Sequence, residues 1–257
     1  MNLLERRVDR LGPGISVRLR LAKAQMHGDA LCKVLRDFVA PSRTVVDIGA
    51  HRGVYTWLMS RLVGSGGHVH AFEPYPANVQ RLNALASSRP NIVVHPCALS
   101  DSAGEATLRV PRYHNLELDA LSTLRSTVSF DPECISVPMH TLDEVAASQI
   151  YDEVDLIKCD VEGHEDEVIN GAWATITQNM PVLLIEIEQR HRREPVSTLV
   201  NRLLDIGYDG FFVGNSGLRA IDEFDIEHHQ LSFLTPEFVP YSMPAGYISD
   251  FMFVPNR

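Results

Sequence analysis

Ionisable side chains crowd one short stretch of the chain. Within six residues the sequence carries Asp160, Glu162, His164 and Glu165, directly after a run at 156–160 (L-I-K-C-D) that predicts a buried strand ending in an acid. So many charges are costly to bury, which favours a functional site. His164 has the ordinary pKa nearest neutrality, so we expect it to act as a general base. The alternative is that the acids only stabilise the dipole of the following helix.

A second strand with acidic residues is predicted further along the chain. Glu186 and Glu188 alternate with apolar residues and therefore share one face of that strand. With Asp160 they could form a set of oxygen donors for Mg²⁺. A metal-free role, in which Glu186 hydrogen-bonds the hydroxyl groups of an acceptor, is simpler and is the one we expect. We therefore assign no metal, and Asp160, Glu162 and His164 stay alternatives for the base.

A glycine-bearing turn is predicted at the end of the first strand, in the run 45–53 (V-V-D-I-G-A-H-R-G). Open parallel sheets bind nucleotides at such turns. Gly49 lets the backbone approach a ligand closely, and Asp47 suits a cationic amino-acid group. A dinucleotide fingerprint would need glycine where the chain has His51 and Val54, so the chemistry points away from NAD. A purely structural turn is the alternative.

The next predicted strand also ends in a carboxylate, Glu73, which lies 20 residues after Gly53. A carboxylate at this position can accept hydrogen bonds from both hydroxyl groups of a ribose. The third strand leads into Ala98, Leu99 and Ser100, beside the end of the second. We expect these three residues to contact an adenine ring through apolar surface and backbone hydrogen bonds.

Alternating strand and helix patterns position these residues. Residues 1–40 carry apolar residues at helical spacing, interrupted by Pro13 and Gly14, and predict two helices. Strands are predicted at 44–48, 68–72, 92–97, 106–110, 155–159, 182–187, 210–213 and 251–254, and helices at 54–62, 77–86 and 166–169. The alternation indicates a parallel sheet with right-handed crossovers. The irregular segment 111–134 predicts a lid inserted into a single domain that spans residues 1–257.

The net charge and the spacing of the cysteines indicate which partners and which cellular compartment to expect. With 23 Lys and Arg against 33 Asp and Glu, the net charge of −10 disfavours nucleic acid and anionic membrane as partners. The four cysteines are scattered, without a C-x-x-C pair, so we expect neither zinc nor disulfides and a reduced, cytoplasmic setting. Because no run approaches the roughly 20 apolar residues that span a bilayer, we expect no export signal or anchor.

The ordered motifs together resemble the FkbM family of methyltransferases over about residues 44–190. They are D-I-G-A-H-R-G-V-Y-T, F-E-P, A-L-S-D, L-D-E, L-I-K-C-D-V-E-G-H-E and L-L-I-E-I-E. The resemblance implies a Rossmann-like class I fold with a seven-stranded sheet, helices on both faces, and S-adenosylmethionine as donor. It also implies transfer to oxygen on sugars or on polyketide and other natural-product scaffolds. Cys159 stands where the family more often has an aliphatic residue.

Site residues follow from the same resemblance, position by position. Asp47, Gly49 and Gly53 match the cofactor loop, Glu73 matches the ribose-binding acid, and Leu99 with Ser100 matches the adenine segment. His51, Tyr55 and Thr56 lie in the same cofactor stretch and join the predicted cofactor residues, as does Asp160, which could touch the methionine end of the cofactor.

The function predicted from the sequence is an S-adenosylmethionine-dependent O-methyltransferase that acts on a hydroxyl group of a sugar or oligosaccharide and releases S-adenosylhomocysteine. Two alternatives stay open. One is methylation of a polyketide or other natural-product scaffold, and the other is a catalytically silent subunit that only binds the cofactor. An oxidoreductase using NAD is disfavoured by the glycine pattern. The acceptor and the oligomeric state are left open, a homodimer being one alternative.

Overall fold

A central eight-stranded sheet organises the computed structural model, which describes residues 12–26, 29–113, 116–117, 123–124, 132–150, 153–214, 217–234 and 244–256. The strands are β1 Thr44–Ile48, β2 His68–Phe72, β3 Ile92–His95, β4 Ala98–Leu99, β5 Gly104–Val110, β6 Arg112–Tyr113, β7 Leu116–Glu117, β8 Glu133–His140, β9 Val154–Cys159, β10 Val182–Glu186, β11 Tyr208–Gly214, β12 Gly217–Ala220 and β13 Asp250–Pro255. The α-helices are α1 Pro13–Met26, α2 Ala30–Phe38, α3 Val54–Val63, α4 Pro76–Ala86, α5 Leu142–Gln149, α6 Glu165–Gly171, α7 Trp173–Asn179, α8 Val196–Asp205 and α9 Ile226–His229. Short 3-10 turns lie at Gly64–Gly66, Gln189–His191, Ile221–Glu223 and Leu231–Phe233.

The strand order of the large sheet is β12-β11-β13-β10-β9-β1-β2-β3. Strands β3, β2, β1, β9 and β10 pair in parallel, and β13 runs antiparallel between β10 and β11. The predicted α/β class with a mostly parallel sheet is confirmed. The expected count of seven strands is wrong, because the chain turns back after Gly214 and β12 adds an antiparallel edge strand beside β11.

Continuous burial explains why the central strands are almost entirely apolar. All five residues of β1 are buried, because helices cover both faces of the sheet. Val46 and Ile48 join the apolar layer that includes residues of helices α5 to α8. Val45 points into the other layer, with residues of helices α1 to α4. The sheet therefore fixes the ends of its strands rigidly between two helical layers.

Two helices precede the sheet within the described part of residues 1–40. Pro13 begins α1 rather than interrupting a helix, because its missing N–H falls in the first turn, where it would have no helical partner. Asp29 starts α2, and its Oδ1 accepts a hydrogen bond of 3.1 Å from the backbone N–H of Cys32. Residues 1–11, also part of that prediction, lie outside the described residues.

A smaller three-stranded sheet, in the order β4-β8-β5, lies after the third strand of the large one. The strand predicted at 92–97 ends at His95, because Pro96 has no N–H to continue the pairing. The strand predicted at 106–110 exists, but it pairs with β8, which the sequence analysis did not predict. Much of the predicted lid at 111–134 lies outside the described residues, although Thr123 exchanges two backbone hydrogen bonds with Arg109.

Among the described residues, every helix is too short or too polar to cross a lipid bilayer.

Candidate active site

A cleft of about 240 Å³ opens at the carboxyl edge of the large sheet, where β1, β2, β9 and β10 end. It brings together many of the residues that the sequence predicted for the site. These lining residues are Gly49, His51, Glu73, Ala98, Leu99, Asp160, Glu162, His164 and Glu186. Leu108, Thr123 and Leu124 close the cleft from the side of the small sheet.

Glu73 is held by the backbone in a fixed orientation at the end of β2. Its Oε2 accepts a hydrogen bond of 2.7 Å from the N–H of His51, and its Oε1 accepts one of 2.8 Å from the N–H of Tyr75. The residue is 5% exposed and lines the cleft. Two backbone N–H groups therefore hold the carboxylate where it borders the cleft.

Asp47, Gly53, Tyr55 and Thr56, all predicted cofactor residues, do not line the cleft. Asp47 is buried, where its Oδ2 accepts a hydrogen bond of 2.5 Å from Thr56 and its Oδ1 lies 3.7 Å from Lys158 Nζ. Burial raises the pKa of Asp47, and Lys158 and Thr56 counteract part of that rise. Tyr55 donates a hydrogen bond to Asp29, away from the cleft. Asp47, Tyr55 and Thr56 therefore contact other side chains outside the cleft.

Packing accounts for both glycines of the loop. Gly49 has φ +76°, and a Cβ atom there would lie 1.8 Å from the carbonyl oxygen of Asp160. Gly53 has φ +82°, and its Cβ would lie 2.8 Å from Leu82 Cδ2. The left-handed φ favours glycine at both positions, and at position 49 the backbone of Asp160 also leaves no room for a Cβ atom, independently of any ligand.

Three carboxyl groups face one another across the cleft: Asp160, Glu162 and Glu186, called here the carboxylate triplet. Each offers an oxygen within 4.8 Å of the others. Burial, and then repulsion from Asp160, raises the pKa of both Glu162 and Glu186 well above the ordinary value. The buried Oε2 of Glu186 has no hydrogen-bond partner among the described residues. The triplet therefore tends to hold a proton that isolated carboxylates would have released.

Lys158 is a functional candidate that the sequence analysis missed. The side chain is buried in β9, and its Nζ lies 3.2 Å from Asp160 Oδ2 and 3.7 Å from Asp47 Oδ1. Burial alone lowers its pKa, but Asp160 and Asp47 outweigh burial and hold the net pKa above the ordinary value. A lysine between apolar residues of a buried strand was the available signal, because a buried cation needs an anionic partner.

Glu188 is not a member of the triplet and does not line the cleft, although one of its oxygens lies within 4.8 Å of a Glu162 oxygen. It is buried, accepts hydrogen bonds of 2.7 and 2.6 Å from Arg190, and accepts one of 2.5 Å from the Tyr247 hydroxyl. Glu162 therefore stands with Asp160 and Glu186 where the metal alternative had placed Glu188. A second group of potential ligand atoms joins Glu162, Glu188 and His191. Nothing in the sequence pattern indicated that Arg190 and Tyr247 would bind Glu188.

His164 connects the turn after β9 to the segment after β4. Its Nε2 lies 2.9 Å from Ser100 Oγ, and its Nδ1 lies 3.5 Å from Glu167 Oε2. Both ring nitrogens therefore have partners in this structure. Ser100 does not line the cleft, but it is hydrogen-bonded to His164, which does.

Glu165 stabilises the turn formed by residues 161–165 through hydrogen bonds to the backbone of that turn. The Glu165 carboxylate accepts hydrogen bonds of 3.1 and 3.0 Å from the N–H groups of Val161 and Gly163. Burial raises the pKa of Glu165 to about 7. Glu162 adopts φ +53° and Gly163 adopts φ +95°, which turns the chain sharply at the cleft. Glu165 thus supports the backbone of the turn, whereas Glu162 faces the cleft.

The chain is similar in sequence and in fold to known proteins. Residues 47–211 match the Methyltransferase FkbM domain. The solved methyltransferase FkbM from Methylobacillus flagellatus KT is similar, with a TM-score of 0.50 and 18% identity over 97% of this chain and 57% of that chain. Aeropyrum pernix fibrillarin, solved with natively bound S-adenosyl-L-methionine, gives a TM-score of 0.43 and 13% identity over 84% of this chain and 67% of that chain. No curated protein sequence matches the chain. The chain spans little more than half of the M. flagellatus protein, and the likeness to it shows the fold.

Proposed function

The chain belongs to the FkbM methyltransferase family, and from that premise we propose that it methylates a hydroxyl group of a sugar or oligosaccharide. Family and fold support S-adenosylmethionine as the methyl donor, as the sequence analysis expected. The observation that carries the choice of acceptor is the carboxylate triplet, which faces the same cleft as Glu73. A cleft rich in carboxylate oxygens favours an acceptor that carries several hydroxyl donors.

The acceptor groups and the apolar surface of the cleft fit S-adenosylmethionine. Glu73 lines the cleft at the end of β2, where a carboxylate can accept from two ribose hydroxyls, and two backbone N–H groups fix its orientation before binding. Ala98, Leu99 and Phe72 offer apolar surface for the adenine ring. Asp160 offers a carboxylate to the amino group of the methionine portion. When bound, the cofactor supplies the electrophilic methyl group.

The acceptor hydroxyl must lose its proton as oxygen attacks the methyl group, so the site needs a base. Two features favour the triplet for that role. The pKa values of Glu162 and Glu186 are raised, which makes either group a better proton acceptor than an ordinary carboxylate. Glu186 also has a buried oxygen that no described group satisfies. We assign the base to the Glu162 and Glu186 pair, with Glu186 as the first candidate.

His164, the base expected from the sequence, is a second candidate. Its ring lines the cleft, but its two nitrogens already face Ser100 and Glu167. To accept a proton from an acceptor, the ring would have to exchange one of these partners. In our proposal His164 therefore orients the turn that carries Glu162.

The test is a methyl-release assay with S-adenosylmethionine across a panel of saccharides, glycosides and polyketide alcohols. The expected result is turnover with saccharides or glycosides and none without an acceptor. Turnover with polyketide alcohols alone would favour the natural-product alternative. Tight binding of S-adenosylhomocysteine without turnover on any member of a broad panel would favour the catalytically silent subunit.

A further inference from the structure

Helix α1 exposes an apolar stripe to solvent. Three of the five exposed large hydrophobic residues in the described chain belong to this helix: Ile15 at 53%, Leu19 at 45% and Met26 at 81% exposure. Together with exposed Ala22 they follow the spacing i, i+4, i+7, i+11, which places them on one face. The opposite face is already used, because Val17 and Leu21 are buried against the other helices. The stripe therefore does not serve the core.

Three arginines gather beside this stripe, around the ring of Trp57. The guanidinium carbons of Arg18, Arg61 and Arg89 lie 5.7, 4.9 and 5.4 Å from the ring centroid. Within the described ranges none of the three has a carboxylate partner. The pKa of Arg89 is lowered by burial and by the charges of Arg61 and Arg18, as expected for unneutralised cations. We call these three residues the arginine cluster.

The cluster and the stripe lie on the same side of the molecule and away from the cleft. Arg18 belongs to α1 itself, which contains no acidic residue. A depression beside Arg18 and Arg89 is lined by Gly64, His68 and Asn91, which precede or begin β2 and β3. These residues mark the amino edge of the sheet, whereas the cleft lies at the carboxyl edge. A partner bound here would leave the cleft open.

We propose that the stripe of α1 and the arginine cluster form a docking surface for an anionic lipid membrane. An interfacial helix inserts aliphatic side chains between headgroups, while adjacent cations bind lipid phosphates. The surface offers both features together. The net charge of −10 disfavours anionic membranes for the molecule as a whole, but attraction over a screening length of about 8 Å depends on local charge.

Two other occupants fit the surface less well. A second copy bound symmetrically through the stripe would bring the arginine cluster toward its own image, and the like charges would repel. A small phosphorylated ligand would satisfy the arginines but would leave Leu19 and Met26 exposed. An anionic bilayer satisfies the cations and covers the aliphatic residues.

The experiment is vesicle co-flotation of the full chain. Phosphatidylcholine vesicles are compared with vesicles that also contain phosphatidylglycerol, at low and high salt. We expect binding only to the anionic vesicles, with affinity falling as salt rises. Arg18→Gln and Arg89→Gln should each weaken binding about fivefold, which corresponds to about 1 kcal/mol per charge. Leu19→Ser should weaken it about tenfold or more.

Matched controls separate this surface from general surface effects. Val93→Ser removes an exposed aliphatic residue on β3, and Arg43→Gln removes an exposed arginine that pairs with Asp155, so both should bind like the wild type. Circular dichroism checks that each variant is folded. Absence of wild-type co-flotation overturns the proposal. So does binding that survives Leu19→Ser, which would assign the cluster to phosphate alone, and so does a dimer in solution that Leu19→Ser dissociates.

Discussion

Ser100 and His164 are joined by a hydrogen bond of 2.9 Å between Oγ and Nε2. This bond links the segment expected to contact the adenine ring to the turn that carries Glu162, one member of the carboxylate triplet. Because Glu167 approaches the other ring nitrogen, the imidazole is fixed from both sides. The relationship separates two roles for His164, a proton acceptor and a residue that positions the turn, and the two roles predict different kinetics.

Glu186→Gln should lower kcat by about 10² to 10⁴-fold, because the amide cannot accept the acceptor's proton. His164→Gln should lower kcat by less than about tenfold, since glutamine can keep the bond to Ser100. The measurement is turnover on a verified acceptor, with cofactor affinity determined in parallel. Glu194→Gln, an exposed change outside the cleft, is the control. The reverse order of the two losses would return the base to His164.

The rate should rise with pH through a midpoint well above the ordinary carboxyl value. The base must be deprotonated to act, and burial together with repulsion from Asp160 raises the pKa of Glu162 and Glu186. The check is the pH profile of kcat/KM for the wild type and for Glu162→Gln. Removing one member of the pair relieves its repulsion of the other, so the midpoint should move down. An unchanged midpoint would show that another group titrates.

Glu73→Gln should weaken S-adenosylmethionine binding by roughly 1 to 3 kcal/mol, because an ionised acceptor for the ribose hydroxyls is lost. Isothermal titration of the folded variant measures the change. Glu73 also accepts two backbone N–H groups, so the variant's thermal stability must be recorded beside its affinity. Unchanged affinity would exclude Glu73 as the ribose ligand.

Stability should fall as pH rises from about 4 to about 7, in part because of Asp250. Burial and then Asp160 raise its pKa to about 7, so in this range the folded state holds a proton that the unfolded chain releases. Asp250→Asn should flatten the slope of unfolding free energy against pH, measured by urea denaturation. Glu165 leaves a residual slope, since its pKa is also about 7. Asp209→Asn, an exposed change on β11, should leave the slope as it is.

Chelation with EDTA should leave turnover largely intact. The chain already supplies cations to two of the acids considered as metal ligands: Lys158 lies beside Asp160, and Arg190 pairs with Glu188. A divalent ion would have to compete with these groups for the same oxygens. Loss of turnover that added Mg²⁺ restores would establish a metal held by Asp160, Glu162 and Glu186.

The sequence was informative where its signals were local. Mostly apolar runs bounded by glycine or proline predicted β1 and β2 with correct limits, because strands covered on both faces are rich in apolar residues. It was less informative where pairing is long-range. Strand β8 joins β5 and β4 in a separate sheet, and nothing in the alternation of residues 133–140 indicates which sheet it enters.

The candidate site shows the same division. The spacing of acids at strand ends correctly indicated that Glu73, Asp160 and Glu186 meet at one edge of the sheet, because the carboxyl ends of parallel strands lie at the same edge. Spacing could not show that Asp47 lies beside Lys158 instead of lining the cleft, or that Glu188 is held by Arg190 and Tyr247. The direction of each side chain depends on its rotamer and on partners from distant parts of the sequence.

Glu162 lies in the left-handed backbone region, φ +53°, which costs a residue with a side chain about 1 kcal/mol or more and costs glycine almost nothing. Folding and the proposed chemistry therefore make opposing demands on one position. Glycine would suit the backbone there, but it would remove a carboxyl group from the triplet. A screen for thermal stability alone would accordingly enrich variants of this turn that resist heat better and methylate less.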